Sequence, residues 1–172
     1  MVEAQATIRG AEAADFSTIA DLINSSFEIE RSYIYEPPET QNSVATAMES
    51  GTYFVAVGSH GDLIGCVYVN PRLRGIFRLA VAIAQRSQGY GRRLMAEAES
   101  YGKDARWPEV MIGILDFRQE LLPYYRTLGY VEKELPRDLA LQPPAHIIRP
   151  CQLIMMSKNL SVISLSPEGV GL

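Results

Sequence analysis

Residues 86–92 read Arg-Ser-Gln-Gly-Tyr-Gly-Arg, two glycines one residue apart with an arginine at either end. Glycine lets a backbone fold tightly without Cβ clashes, which turns consecutive N–H groups toward one point. The helix expected from Gly91 adds unpaired N–H donors and the positive end of its dipole. A loop of this kind suits a pyrophosphate, although Gly-x-Gly also describes an ordinary strand-to-helix turn. Two other phosphate-binding patterns fit poorly. A P-loop closes on Gly-Lys-Ser/Thr, and here Arg92-Arg93-Leu94 follows. A dinucleotide fingerprint wants a third small residue where Leu94 stands, and its glycines follow the strand directly. Here Ala82, Ile83, Ala84 and Gln85 separate Val81 from Arg86.

The loop needs a strand before it and a helix after it. Ile76 to Val81 reads as the strand, set off by Pro71 and Gly75, and residues from about Gly91 to Lys103 as the helix. Upstream, Ala6 to Gly10 forms a short strand, and Asp15 caps a helix that carries Phe16, Ile19, Ala20, Ile23 and Phe27 at helical spacing. Glu28 to Pro38 mixes charge with aromatics and ends in two prolines, so a loop is expected before a helix from Glu39 to Glu49 that stops at Gly51. Tyr53 to Val57 and Leu63 to Val69 flank the hairpin signal Gly58-Ser59-His60-Gly61-Asp62. Downstream come a strand Val110 to Leu115, a helix Glu120 to Leu128 closed by Gly129, and strands Tyr130 to Leu135 and Cys151 to Ser157. The last two enclose a proline-rich loop holding His146. The order βααβββαβαββ specifies an α/β (α+β) domain: a mixed, mostly antiparallel sheet of about seven strands with helices on both faces. One domain spans residues 1–160, and the tail 161–172 has no clear pattern.

Composition narrows the classes. A chain of 172 residues with 47% hydrophobic and 21% charged residues is long enough to bury a core as a soluble domain. No apolar run approaches the roughly 18 residues of a membrane span, and Met1 to Arg9 lacks a signal-peptide pattern, so no membrane and a cytoplasmic location are expected. A net charge of −4 speaks against a nucleic-acid surface, despite the local Arg86, Arg92 and Arg93. Cys66 and Cys151 sit in apolar alternating segments and read as buried thiols. With only His60 and His146 besides, no metal-ligand spacing exists and no metal is expected.

Three segments in sequence order resemble the GNAT superfamily of acetyltransferases. Leu79 to Leu94 has the Leu-x-Val strand end, the fixed gap, the Arg-x-x-Gly-x-Gly core and Arg-Leu in the helix. Leu121-Leu122-Pro123-Tyr124-Tyr125-Arg126-Thr127-Leu128-Gly129-Tyr130 is similar to the helix that carries a tyrosine four residues before its closing glycine. Leu153 to Leu160 resembles the family's terminal strand. Ile83 departs from a common proline, and Arg118 from a common asparagine near the cofactor.

The resemblance implies acetyl-CoA as co-substrate and direct transfer to an amine of a small molecule or protein; a non-catalytic acyl-CoA-binding module, transfer of a longer acyl group and a homodimer stay open. It implies that Leu79, Ala80 and Val81 bond pantetheine through their main chain, one N–H polarising the thioester carbonyl. It implies that Arg86, Ser87, Gln88, Gly89, Tyr90, Gly91 and Arg92 wrap the pyrophosphate, with Gln88, Gly89 and Gly91 as main-chain donors, and that Arg118 is available to a phosphate. Tyr125 is the implied acid for the departing thiolate, since a phenol of ordinary pKa about 10 is protonated at neutral pH. Tyr125 also reads as an aromatic packing its helix against the sheet, a role that Tyr124 could share. Acidic and aromatic residues of the loop Glu28 to Pro38, Glu30 and Tyr35 above all, would suit a cationic amine. No base is assigned: Glu28, Glu30, Asp116 and His146 are each also readable as solvated residues, and the cofactor strand offers Arg78 where many relatives have a carboxylate.

Overall fold

The computed structural model describes residues 6–33, 35, 37–134 and 148–161. Their strands are β1 (Thr7–Gly10), β2 (Thr52–Val57), β3 (Leu63–Asn70), β4 (Gly75–Val81), β5 (Glu109–Leu115), β6 (Val131–Glu132) and β7 (Leu153–Asn159). The α-helices are α1 (Phe16–Ser26), α2 (Gln41–Met48), α3 (Tyr90–Asp104) and α4 (Leu122–Thr127). One sheet runs β1-β2-β3-β4-β5-β7-β6, every neighbouring pair antiparallel except β4 with β5. This is the α/β architecture and element order expected from the sequence.

Alternation along β3 builds the two layers, because successive strand side chains face opposite sides. Cys66 and Tyr68 join Ile19, Leu22 and Ile23 of α1 and Val44 of α2 in one core. Val67 and Val69 join Leu94, Met95 and Ala98 of α3 in the other. The sheet is thus covered on both faces.

What positions the site is the junction of β4 and β5. Their only registered pair is Gly75 with Met111, whose N–H donates to Arg74 O at 3.0 Å. Beyond it the ladder stops and a cleft opens, with Leu79 and Val81 on one wall and Ile112, Gly113, Ile114 and Leu115 on the other. On its other side β4 carries a bulge. The register with β3 slips between Cys66 and Tyr68, so Arg78 and Leu79 together oppose Val67, and Arg78 takes φ +53°.

Several boundaries differ from the sequence reading. Asp15 precedes α1 but does not cap it; its carboxylate accepts the Glu12 N–H at 2.7 Å and pairs with Arg9 at 2.6 Å. The loop after α1 contains a 3-10 turn, Glu28–Ser32. α2 starts at Gln41, with Thr40 as its cap accepting from Ser43 N–H. The segment expected to start a helix at Glu120 is first a 3-10 turn, Asp116–Leu121, and Pro123 then sits in the first turn of α4. β6 is only two residues long. Leu135, the loop with His146 and the tail from residue 162 lie outside the described residues.

Candidate active site

After β4 the chain makes a 3-10 turn, Ile83–Gln85, and then a loop in which Ser87 and Gly89 both have positive φ, +63° and +85°. Left-handed residues re-aim successive N–H groups, and the N-terminus of α3 follows at Tyr90, one residue before the expected start. The two glycines serve different ends. A Cβ on Gly89 would meet nothing within 4 Å, so its backbone angle is what requires glycine. At Gly91 a Cβ would lie 3.0 Å from the Tyr124 hydroxyl and 3.9 Å from Leu79 Cδ2. Arg86 Nε donates back to Val81 O at 3.1 Å, which ties the loop to the end of β4.

The loop forms one end of a cleft of about 1040 Å³ that continues between β4 and β5 to α4. Of the residues expected to bind the cofactor, Leu79, Val81, Arg86, Ser87, Gly89, Tyr90, Gly91, Arg92 and Arg118 line it. Ala80 is buried on the α1 side of the sheet, and Gln88 reaches toward Ala84 O at 3.4 Å. Tyr125 lines the cleft too, packed edge to face against Tyr124 and Tyr130 at ring distances of 5.1 and 6.0 Å. Burial is the main cause that raises its pKa; Arg118 opposes the rise and Glu30 adds to it.

The same two charges form an ion pair. Arg118 donates to Glu30 at 2.6 Å and to Glu120 at 2.5 Å, so this guanidinium is shared by two carboxylates. Glu30, expected at the acceptor end, therefore faces the cleft as a paired carboxylate. Tyr35 is 63% exposed and is not on the cleft wall. Among the carboxylates considered for the base, Glu30 lines the cleft while Glu28 and Asp116 do not, and His146 lies outside the described residues.

Two features escaped the sequence reading. Arg78, swung out by the bulge, pairs with Glu39 at 2.5 Å and donates to the Tyr53 hydroxyl at 2.9 Å. Burial pushes the Tyr53 pKa up to about 12. Glu39 is further held by the Ser43 hydroxyl at 2.5 Å. Nothing in local periodicity announces a pair 39 positions apart; a carboxylate just ahead of the Thr40 cap was the one available signal. The other is the Tyr124 hydroxyl, buried on the cleft wall with no partner among the described residues.

The sheet parts between two parallel strands, and a left-handed loop and a helix N-terminus stand at one end of the gap, an arrangement able to hold a phosphate-bearing ligand. The acetyltransferase (GNAT) family model matches residues 16–130, and the chain belongs to that family, a family of acyltransferases that use acetyl-CoA. Solved structures agree in fold. A GNAT-family acetyltransferase from Staphylococcus aureus Mu50 superposes with TM-score 0.70 at 14% identity, over 91% of this chain and 99% of that one. Ribosomal-protein-alanine N-acetyltransferase from Brucella melitensis gives 0.71 at 20%, over 89% and 99%. Phosphinothricin acetyltransferase from Sinorhizobium meliloti, in complex with AcCoA, gives 0.69 at 18%, over 91% and 89%. No curated protein sequence matches the chain.

Proposed function

We propose that this chain is an N-acetyltransferase that moves the acetyl group of acetyl-CoA directly to a primary amine. The observation that carries the reading is a single cleft that joins the left-handed Ser87–Gly89 loop to the Tyr125 ring by way of the unladdered edge of β4. Ser87 to Arg92 would hold the pyrophosphate, and Leu79 to Val81 the pantetheine arm through main-chain groups freed by the parting of the strands. The cofactor supplies an activated acetyl thioester. The chain's share is to align the amine with it, which is the larger part of such catalysis, and to polarise the carbonyl through an N–H of β4.

As the amine's C–N bond forms and the C–S bond breaks, Tyr125 gives its phenolic proton to sulfur. Its raised pKa keeps that proton in place at neutral pH. The amine proton leaves to solvent, and solvent returns a proton to Tyr125. The paired carboxylates Glu30 and Glu39 border the acceptor end, where the amine enters. The acceptor is a primary amine of a small molecule or of a protein. Buried free thiols, Cys66 and Cys151, accord with a reducing compartment, the cytoplasm.

Acetyl-CoA turnover against pooled amines, read as free thiol, tests the proposal. Amine-dependent thiol release supports it. CoA binding in a titration with no thiol release across the pool would make the chain a binding module instead.

A further inference from the structure

α4 brings two adjacent phenols to the cleft, and their surroundings differ. Tyr125 lies between two aromatic rings, whereas the Tyr124 hydroxyl is buried against the first turn of α3. Other phenols of the sheet layers are paired: Tyr53 accepts from Arg78, Tyr68 donates to Ala47 O, and Tyr130 donates to Glu99. The Tyr124 hydroxyl has no such partner among the described residues. Buried polar atoms in folded proteins are paired in the large majority, so this one calls for a partner that the described residues do not supply. Its location says where that partner arrives. The oxygen stands 3.0 Å from the point where a Gly91 side chain would begin, and Leu79 of β4 borders the same point. Glycine at 91 therefore leaves this hydroxyl a place at the seam of α3, β4 and α4, on the cleft wall.

We infer that Tyr124 is a cofactor-holding residue, its hydroxyl donating to an oxygen of acyl-CoA where the pantetheine arm meets the pyrophosphate. The inference rests on the acyl-CoA reading above and divides the tyrosine pair: Tyr124 holds, Tyr125 transfers a proton. It also gives Gly91 a specific duty, to leave that hydroxyl room beside the first turn of α3.

Tyr124→Phe keeps the ring and removes only the unpaired oxygen. Without ligand its melting temperature should equal or exceed that of the unaltered chain, because no hydrogen bond among the described residues is lost. With CoA as probe, its dissociation constant should rise by about three- to tenfold, the range of one neutral hydrogen bond, and the CoA-induced rise in melting temperature should shrink. A second comparison tests the contact itself: Gly91→Ala should melt lower than the double variant Gly91→Ala/Tyr124→Phe, in which the added methyl has room. Equal CoA affinity for the unaltered chain and Tyr124→Phe would overturn this inference alone, as would a lower melting temperature of ligand-free Tyr124→Phe. Failure of the unaltered chain to bind CoA would overturn the functional reading with it.

Discussion

The Tyr125 ring is held between Tyr124 and Tyr130, and its hydroxyl belongs to a cleft that also receives the Glu30–Arg118 pair. Burial favours the neutral phenol, so its pKa moves above the ordinary value of about 10. The sign follows: the donor form is present throughout the range below pH 10, and Tyr125 should contribute no descending limb to kcat there. Tyr125→Phe keeps the packing and deletes the proton. We expect a folded variant with near-normal CoA affinity and a kcat lower by at least about tenfold, at the low end of general-acid effects because a thiolate is already a fair leaving group. Equal kcat for the two proteins, with chemistry shown to limit the rate, would return this tyrosine to the core. The residue was singled out through the resemblance, in which a helix carries a tyrosine four residues before its closing glycine, and the structure puts it on α4 at the cleft. Glu39 and Arg78 were not, since their pairing depends on a bulge whose positive φ no side-chain pattern encodes.

The element that turns sequence into a site is the β4-loop-α3 unit. Ser87 and Gly89 set its path through left-handed backbone, and Gly91 lets α4 approach. In Gly91→Val the branched side chain would grow from a point already 3.0 Å from the Tyr124 hydroxyl, into the space between α3, β4 and α4. Circular dichroism should report a folded domain, while titration should show CoA affinity reduced at least about tenfold, since a displaced α3 turn no longer presents its N–H groups in place. Unchanged affinity in the folded variant would remove the loop from the binding site. This unit was the most readable part of the chain because glycine punctuation and helical periodicity agree over it. α4 was less so. Its apolar spacing begins at Leu121 and Leu122, but Asp116 to Leu121 closes as a 3-10 turn, with Arg118 bent out of helical angles at φ −99°, ψ 38°. There Arg118 meets Glu30 from far upstream, a tertiary contact that overrides local preference.

Taken as a whole, the sheet is two half-sheets, β1-β2-β3-β4 and β5-β7-β6, whose ladders meet at one residue pair, Gly75 with Met111. α3 spans the junction by packing on β2, β3, β4 and β5, and the Glu30–Arg118 pair joins the segment after α1 to the turn after β5. A ligand seated in the cleft touches both halves and so supplies the contacts that the parted strands do not make to each other. Binding to the folded state alone should stabilise the chain by about 2.7 kcal/mol at a free CoA concentration 100 times its dissociation constant. At roughly 2–4 °C per kcal/mol for a chain of this size, the melting temperature should rise by about 5–10 °C. Hydrogen exchange locates the gain. We expect CoA to slow exchange on both walls of the cleft, at the Leu79–Val81 end of β4 and the Ile112–Leu115 stretch of β5, as well as in the Ser87–Arg92 loop. If protection were confined to the loop while both strand walls exchanged as before, the ligand would be held at its phosphate end only, and the cleft between β4 and β5 would not be the seat of the pantetheine arm.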